Sequence, residues 1–354
     1  MRPHTPNTIR SGSFIPHRAK STALTLTAAT ALLASTGIAQ ASPAPASVDL
    51  AEAPNVEITA AEEIASELPV ELSGVPAEDA LGEAVVEDTI AEYGSGLSAL
   101  EEENREVRVD IRETDGAAAF GVAIVTADTS PDAGSPEAWL FTAENEGGWT
   151  VGLEGTPEFA AMLTDSELMD SEGRETIAAS TDPDQASSSE VVGVGLPFEV
   201  GTSMTMTTGP HGWGGYDRPF SSVDFAGGNG TAHAARGGYA TSLCNGWTRI
   251  HHTNGFATDY YHLEDYQSLN GNVETGHYLG TQGNSLCAGG HTTGAHIHYT
   301  LRGYDDVNTH WPVALHGRTL GGWTFAEGSE AYGGYAYRNG TEVHPNQSMY
   351  NYGF

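Results

Sequence analysis

The chain has 354 residues and a formal net charge of −33, a length that allows about two domains. The charge is unevenly spread. Residues 1–41 hold Arg2, Arg10, Arg18 and Lys20 and no acid (net +4), residues 42–190 hold 35 acids against four arginines (net −31), and residues 191–354 hold 12 acids against six arginines (net −6). No basic stripe exists to meet phosphates, which excludes nucleic acid as a partner.

Residues 1–41 read as an export signal. The basic stretch ends at Lys20, the run Ala23–Ala39 is apolar, and Ala39-Gln40-Ala41 supplies a small-x-small cleavage pattern. The run is short for a membrane span and has no basic flank after it, so a secreted, extracellular protein is expected, with no membrane attachment after cleavage. Export makes Cys244 and Cys287, the only cysteines, a candidate disulfide. By the chain-entropy estimate such a bridge contributes roughly 4 kcal/mol.

Ser42 to about Ala60 is rich in Pro, Ala and acids and reads as a flexible lead-in. Helices are predicted over Ala77–Tyr93, Leu97–Val107 and Glu158–Met169, and strands over Ala117–Thr126, Ala138–Phe141 and Trp149–Leu153. Asn145-Glu146-Gly147-Gly148 has hairpin-turn chemistry. These elements make a small α+β region, and Thr181–Glu190 reads as an exposed linker open to processing. After Val191 glycine becomes dense and short β-type runs follow one another: Gly230–Ala240, Trp247–His252, Ala257–Leu263, Tyr278–Gly280 and Ala295–Leu301. His252-Thr253-Asn254-Gly255 marks a hairpin between two of them. An antiparallel β-sheet region is expected over residues 191–354.

Histidine is confined: two lie before position 20 and the other twelve between 211 and 344. Any imidazole site therefore belongs to the C-terminal part. In Gly294-Ala295-His296-Ile297-His298, a strand would put both imidazoles on one face. That suits two metal ligands, or one ligand and one acid–base group. Gly209-Pro210-His211-Gly212-Trp213 lies ahead of Ser221-Ser222-Val223-Asp224, with 13 residues from His211 to Asp224. Tyr260-Tyr261-His262-Leu263 falls in another strand candidate.

This ordered set resembles the lysostaphin-type zinc endopeptidases, with the closest likeness to their beta-lytic branch, over about residues 191–354. The resemblance implies that His211, Asp224 and His298 hold one Zn²⁺. It makes His296 the catalytic histidine and His262 its partner, and places Tyr261 and Tyr332 at the positions of oxyanion-stabilising tyrosines. It further implies a pro-region over residues 42–190 that partners the enzyme before processing, and a substrate that is peptidoglycan cross-bridge or other glycine-rich peptide. Cutting within Thr181–Glu190 is expected to release a more active C-terminal form. In a regular strand Tyr261 and His262 would point to opposite faces. His233, His251, His252, His277, His291, His310, His316 and His344 lie outside the motifs and are expected at the surface or in structural roles.

Two other classes compete. A catalytically silent wall-binding or regulatory module would keep the fold without turnover, but all five site residues would then be intact without use. A lipoyl or biotinyl carrier needs an acceptor lysine, and Lys20 in the signal is the chain's only lysine.

Overall fold

In the computed structural model, which describes residues 76–94, 96–131, 134–182, 190–303 and 311–354, the first element is helix α1 (Pro76–Tyr93). All described residues fall in one unit, Leu68–Phe354. The expected export signal and lead-in lie outside them. Leu81, Val85 and Thr89, four apart and fully buried, form the inward stripe of α1. Helix α2 (Leu97–Glu102) ends five residues before the predicted boundary. Asn104 takes a left-handed φ of 55°, and the alternation Val107, Val109, Ile111 then favours a strand over a helix. The result is β1 (Val107–Thr114), which runs into β2 (Ala118–Val125), β3 (Glu137–Asn145) and β4 (Trp149–Leu153) as one antiparallel sheet in chain order. The predicted 145–148 turn joins β3 to β4, with the Asn145 side chain accepting from the Gly147 N–H.

Helix α3 (Pro157–Asp165) starts with Thr156 accepting from the Phe159 N–H and with proline in its first turn. It stops four residues short of the predicted end. A further helix, α4 (Ser171–Thr181), follows an Asp170 cap. Its polar sequence hid it, and it buries Thr181, expected to open the exposed linker. Residues 183–189 lie outside the described set.

The C-terminal region is β throughout: β5 (Ser203–Met206), β6 (Ser222–Ala226), β7 (Thr231–His233), β8 (Gly238–Cys244), β9 (Trp247–His251), β10 (Phe256–Tyr261), β11 (Asn270–Val273), β12 (Tyr278–Thr281), β13 (Ile297–Gly303), β14 (Thr319–Leu320), β15 (Trp323–Ala326), β16 (Tyr335–Arg338), β17 (Thr341–Val343) and β18 (Gln347–Tyr350). Eight of these form an antiparallel sheet in the order β11-β8-β9-β10-β13-β6-β5-β18. The predicted single strand over Gly230–Ala240 is broken by a bend at residues 234–237 into β7 and β8. The mainly β architecture after a small α+β region is as expected.

Register divides the large sheet into two faces. On one, Tyr260, Tyr299 and Val223 align, and with Ile250, Leu301, Ile297 and Phe225 they build an apolar core. On the other, Tyr261, His298 and Asp224 align in one row, and Arg249, Asp259, Thr300 and Ser222 in the next. Strands β9, β10 and β13 are buried at every position, because residues 120–177 cover much of this second face. Phe120, Ile124, Leu140, Phe159 and Ile177 share one core with Trp213, Trp247 and Tyr261. Cys244 and Cys287 form a disulfide that ties the end of β8 to the loop ahead of β13. Among the described residues no helix is long and apolar enough to cross a membrane.

Candidate metal centre

Asp224 and His298 are cross-strand partners on β6 and β13, and the His298 Nδ1 lies 3.0 Å from Asp224 Oδ1. His211 reaches them from a bridge to Ser222. Its Nε2 is 3.4 Å from His298 Nδ1 and 3.5 Å from Asp224 Oδ1. Among the described residues this is the one group of three metal-ligating side chains whose donor atoms come within 4.8 Å of one another. All three residues are buried.

The loop carrying His211 depends on Gly209. A Cβ there would stand 1.8 Å from the Gly333 oxygen, so only glycine lets this loop approach the Tyr332 loop. The two are bonded by Gly209 N–H to Tyr332 O and Tyr332 N–H to Pro210 O. Tyr332 itself takes a left-handed φ of 68°. Its ring stacks on His211 at 4.4 Å.

Main-chain carbonyls fix three imidazoles in one tautomer. The Nδ1–H of His211 donates to Gly209 O, that of His296 to Gly294 O, and that of His262 to Ser285 O, at 3.0, 2.7 and 2.9 Å. In the neutral ring the lone pair then sits on Nε2. The His296 Nε2 is 3.5 Å from Asp224 Oδ1, and the His262 ring is 4.8 Å from that of His296. Burial pushes His211 down to about 4 and His262 down to about 3, which keeps both neutral near pH 7. Burial alone would raise the Asp224 carboxyl, but His211, His296 and His298 around it hold it well below the usual carboxylate range.

This donor set fits a metal ion. A tetrahedral ion with N and O ligands at about 2.1 Å sets its ligand atoms about 3.4 Å apart, the spacing of the His211–Asp224–His298 atoms. Two imidazole nitrogens and a carboxylate oxygen crowded together gain from a cation between them. The residues predicted as ligands thus meet at one point, and His296 and His262 stand beside them.

Tyr261 and His262 depart from the regular-strand expectation. β10 ends at Tyr261, and His262 turns to φ 67°. The two rings consequently lie on the same side, 4.3 Å apart. The Tyr261 hydroxyl donates to Gly289 O and accepts from the Ala288 N–H. Thr208 and Trp213 were not singled out by the sequence reading. Thr208 Oγ1 donates to Asp224 Oδ2 and orients it, while the Trp213 indole packs 5.0 Å from His298. Only the nearness of Trp213 to His211 in sequence hinted at either. His251 and His252 are structural, as expected, but completely buried.

The trio opens into a cleft of about 410 Å³, also lined by His262, His296 and Tyr332, and by Pro131, Gly134 and Ser135 of the N-terminal region. The arrangement can hold a cation, present imidazole Nε2 atoms beside it and offer a phenol across it. These are the parts of a metallopeptidase site.

No family model matches the chain. Protease LasA of Pseudomonas aeruginosa is 30% identical over 149 residues, covering 39% of this chain and 34% of that protein. The beta-lytic metalloendopeptidase of Lysobacter enzymogenes is 31% identical over 119 residues, 30% of this chain and 67% of that protein. Among solved structures, the M23 metalloprotease pseudoalterin is 32% identical with a TM-score of 0.40, covering 44% of this chain and 97% of that one. The chain belongs to the lysostaphin-type (M23) metalloendopeptidase family. It spans about a third of the length of the LasA protease it matches.

Proposed function

We propose that this chain is a secreted zinc endopeptidase that hydrolyses peptide bonds in peptidoglycan cross-bridges or other glycine-rich peptides. The observation that carries the reading is the convergence of the His211, Asp224 and His298 donor atoms with the His296 Nε2 at their edge. His211, Asp224 and His298 would hold the ion. Zinc at such a site supplies Lewis acidity for a peptide carbonyl and for water. The His296 Nε2, turned to the site because Nδ1–H is bonded to Gly294 O, takes a proton from the attacking water and returns it to the leaving amine. His262 packs against His296 and keeps that edge of the site uncharged. Tyr332, whose phenol burial pushes up to about 12, stays protonated and can donate to a developing oxyanion. Tyr261, expected at the second such position, instead bonds its buried hydroxyl to Gly289 O and the Ala288 N–H and so braces the 287–290 loop. Residues 42–190 serve as a removable pro-region, whose Pro131, Gly134 and Ser135 stand in the cleft that substrate would use.

A cleft rimmed by Gly214, Gly215 and Gly290 admits a chain without bulky side chains and gives little side-chain readout. The test is digestion of purified cell walls by the chain freed of residues 42–190, with sequencing of the released termini. New glycine termini support the proposal. Metal-loaded protein that binds walls and releases no termini would favour the silent wall-binding module.

A further inference from the structure

The second face of the large sheet carries another polar cluster, beyond Trp213 from the metal trio. Arg249 on β9 is completely buried. It donates Nε–H and Nη2–H to Asp259 on β10, at 2.8 and 3.1 Å. Its Nη1 turns the other way, to Glu154 Oε2 at 2.6 Å and Ala138 O at 3.1 Å, both in the N-terminal region. His251, two residues along the same strand face, donates Nε2–H to the other Glu154 oxygen at 2.6 Å. The Leu140 N–H completes the cradle at 2.9 Å. Glu154 therefore spends both carboxylate oxygens on charge-bearing or polar donors, two of them across the boundary. Arg302 also donates to Asp259, and its two terminal nitrogens are buried without a hydrogen-bond acceptor. With Asp259 satisfying one guanidinium charge, the cluster on the C-terminal region is left with an excess of positive charge. Glu137 stands 3.9 Å from Arg302 Nη1, and Glu154 is the carboxylate that meets the cluster through direct hydrogen bonds to Arg249 and His251.

We infer that Arg249 and His251 form a carboxylate-binding seat on the C-terminal region, and that Glu154 in this seat keeps residues 76–182 bound as a separate inhibitor after the linker is cut. The contacts that block the cleft are made by the same body. The Ala127 N–H donates to Ala288 O, and the Gly290 N–H to Asp128 O. A Cβ on Gly289 would stand 1.7 Å from Ala127 O, so the two backbones are in direct contact. Ser135 Oγ donates to Trp213 O and Trp213 Nε1 to Pro136 O. Neither set passes through residues 183–189, so hydrolysis there removes none of them. The covalent link is not what holds the cover down, and activation then requires that residues 76–182 be displaced or digested, not only that the linker be cut.

Long-range charge does not explain the association. Residues 42–190 and 191–354 are both net negative, −31 and −6, and repel at distances beyond close contact. The buried pairing must overcome that repulsion, and it is shielded from salt.

The inference rests on the reading of residues 42–190 as a pro-region, but its test needs no peptidase activity and no metal. A protease recognition sequence is placed within residues 183–189 of the full chain, the purified protein is cut, and size exclusion at micromolar and nanomolar concentration reads whether the halves travel together. The wild-type halves should stay together at both concentrations, in 1 M NaCl as in low salt. Glu154→Gln should weaken the association at least tenfold. Glu154→Ala should weaken it further, and propionate, unlike propionamide, should restore part of it. Where Glu154→Ala does not fold, the isosteric Glu154→Gln, checked for native near-UV circular dichroism before cutting, decides. Wild-type halves that separate at micromolar concentration would overturn the inference, as would Glu154→Gln halves that hold as tightly as wild type.

Discussion

His211, His262 and His296 owe their usefulness to main-chain carbonyls. Without Gly209 O, Ser285 O and Gly294 O to bind each Nδ1–H, the rings could offer either nitrogen to the site. The two tyrosines differ in the same respect. Tyr261 has committed its hydroxyl to Gly289 O and Ala288 N–H, whereas Tyr332 is 36% exposed and faces the cleft with its proton retained. Tyr332→Phe is therefore expected to lower kcat by about 10²-fold with metal content unchanged. Tyr261→Phe is expected to act mainly on the 287–290 loop. A larger kcat loss for Tyr261→Phe than for Tyr332→Phe in parallel assays would reverse these roles. His252 gives a residue-scale prediction on stability. Burial pushes it down to about 3, and it is bonded as the neutral form to Gly237 O and Thr258 Oγ1. Its folded value lies below the ordinary 6.5. Its contribution is therefore full above about pH 6.5 and is lost as pH falls through the window down to 3, by up to about 1.4 kcal/mol per pH unit. Urea denaturation from pH 7 to 4 should show a steeper loss for the wild type than for His252→Gln. Equal slopes would contradict it.

At the scale of elements, the disulfide and the hairpins hold the histidines in register. Cys244 ends β8, and Cys287 sits between the carbonyl that fixes His262 and the strand that carries His298. Removing it with a double Cys→Ala change should cost about 2–4 kcal/mol, read from chemical denaturation. Non-reduced peptide mapping should find the two cysteines joined, and free thiols in exported protein would count against the bridge. Strands with dense β-branched or aromatic residues, such as Trp247–His251 and Trp149–Leu153, were legible in the sequence because local pattern and tertiary placement agree. The same holds for the ordered motifs of His211, Asp224, His262, His296 and His298. Other features were not legible. α4 reads Ser-Glu-Gly-Arg-Glu-Thr and has no apolar stripe strong enough to announce it. β7 and β8 read as one run because nothing local marks the bend at 234–237. The shared side of Tyr261 and His262 depends on a single left-handed residue, which no periodicity foretells. Glu154 looked like one more acid among 35, and only the fold places it against Arg249 and His251.

For the whole molecule, the large sheet is a plate with one apolar face and one working face. The working face carries the trio, the aromatic floor of Trp213, Trp247 and Tyr261, and the Arg249 seat, and residues 120–177 cover much of it. Breaking a buried ion pair from one side costs about 3–5 kcal/mol. Glu154→Ala should accordingly destabilise the uncut chain by about that amount in urea titrations, while Glu342→Ala at the exposed His344–Glu342 pair should give under about 1 kcal/mol. The same destabilisation from both changes would remove Glu154 from its special place. The central claim, that His211, Asp224 and His298 hold a catalytic zinc while His296 moves protons, is tested most directly by measuring metal content and turnover together on three forms of the chain freed of residues 42–190. The wild type should carry about one zinc and cleave glycine-rich peptide. His298→Ala should lose both. His296→Ala should keep most of its zinc and lose turnover by about 10³-fold or more. If His296→Ala and His298→Ala lose zinc equally, or if the wild type binds none, the account of this site is wrong.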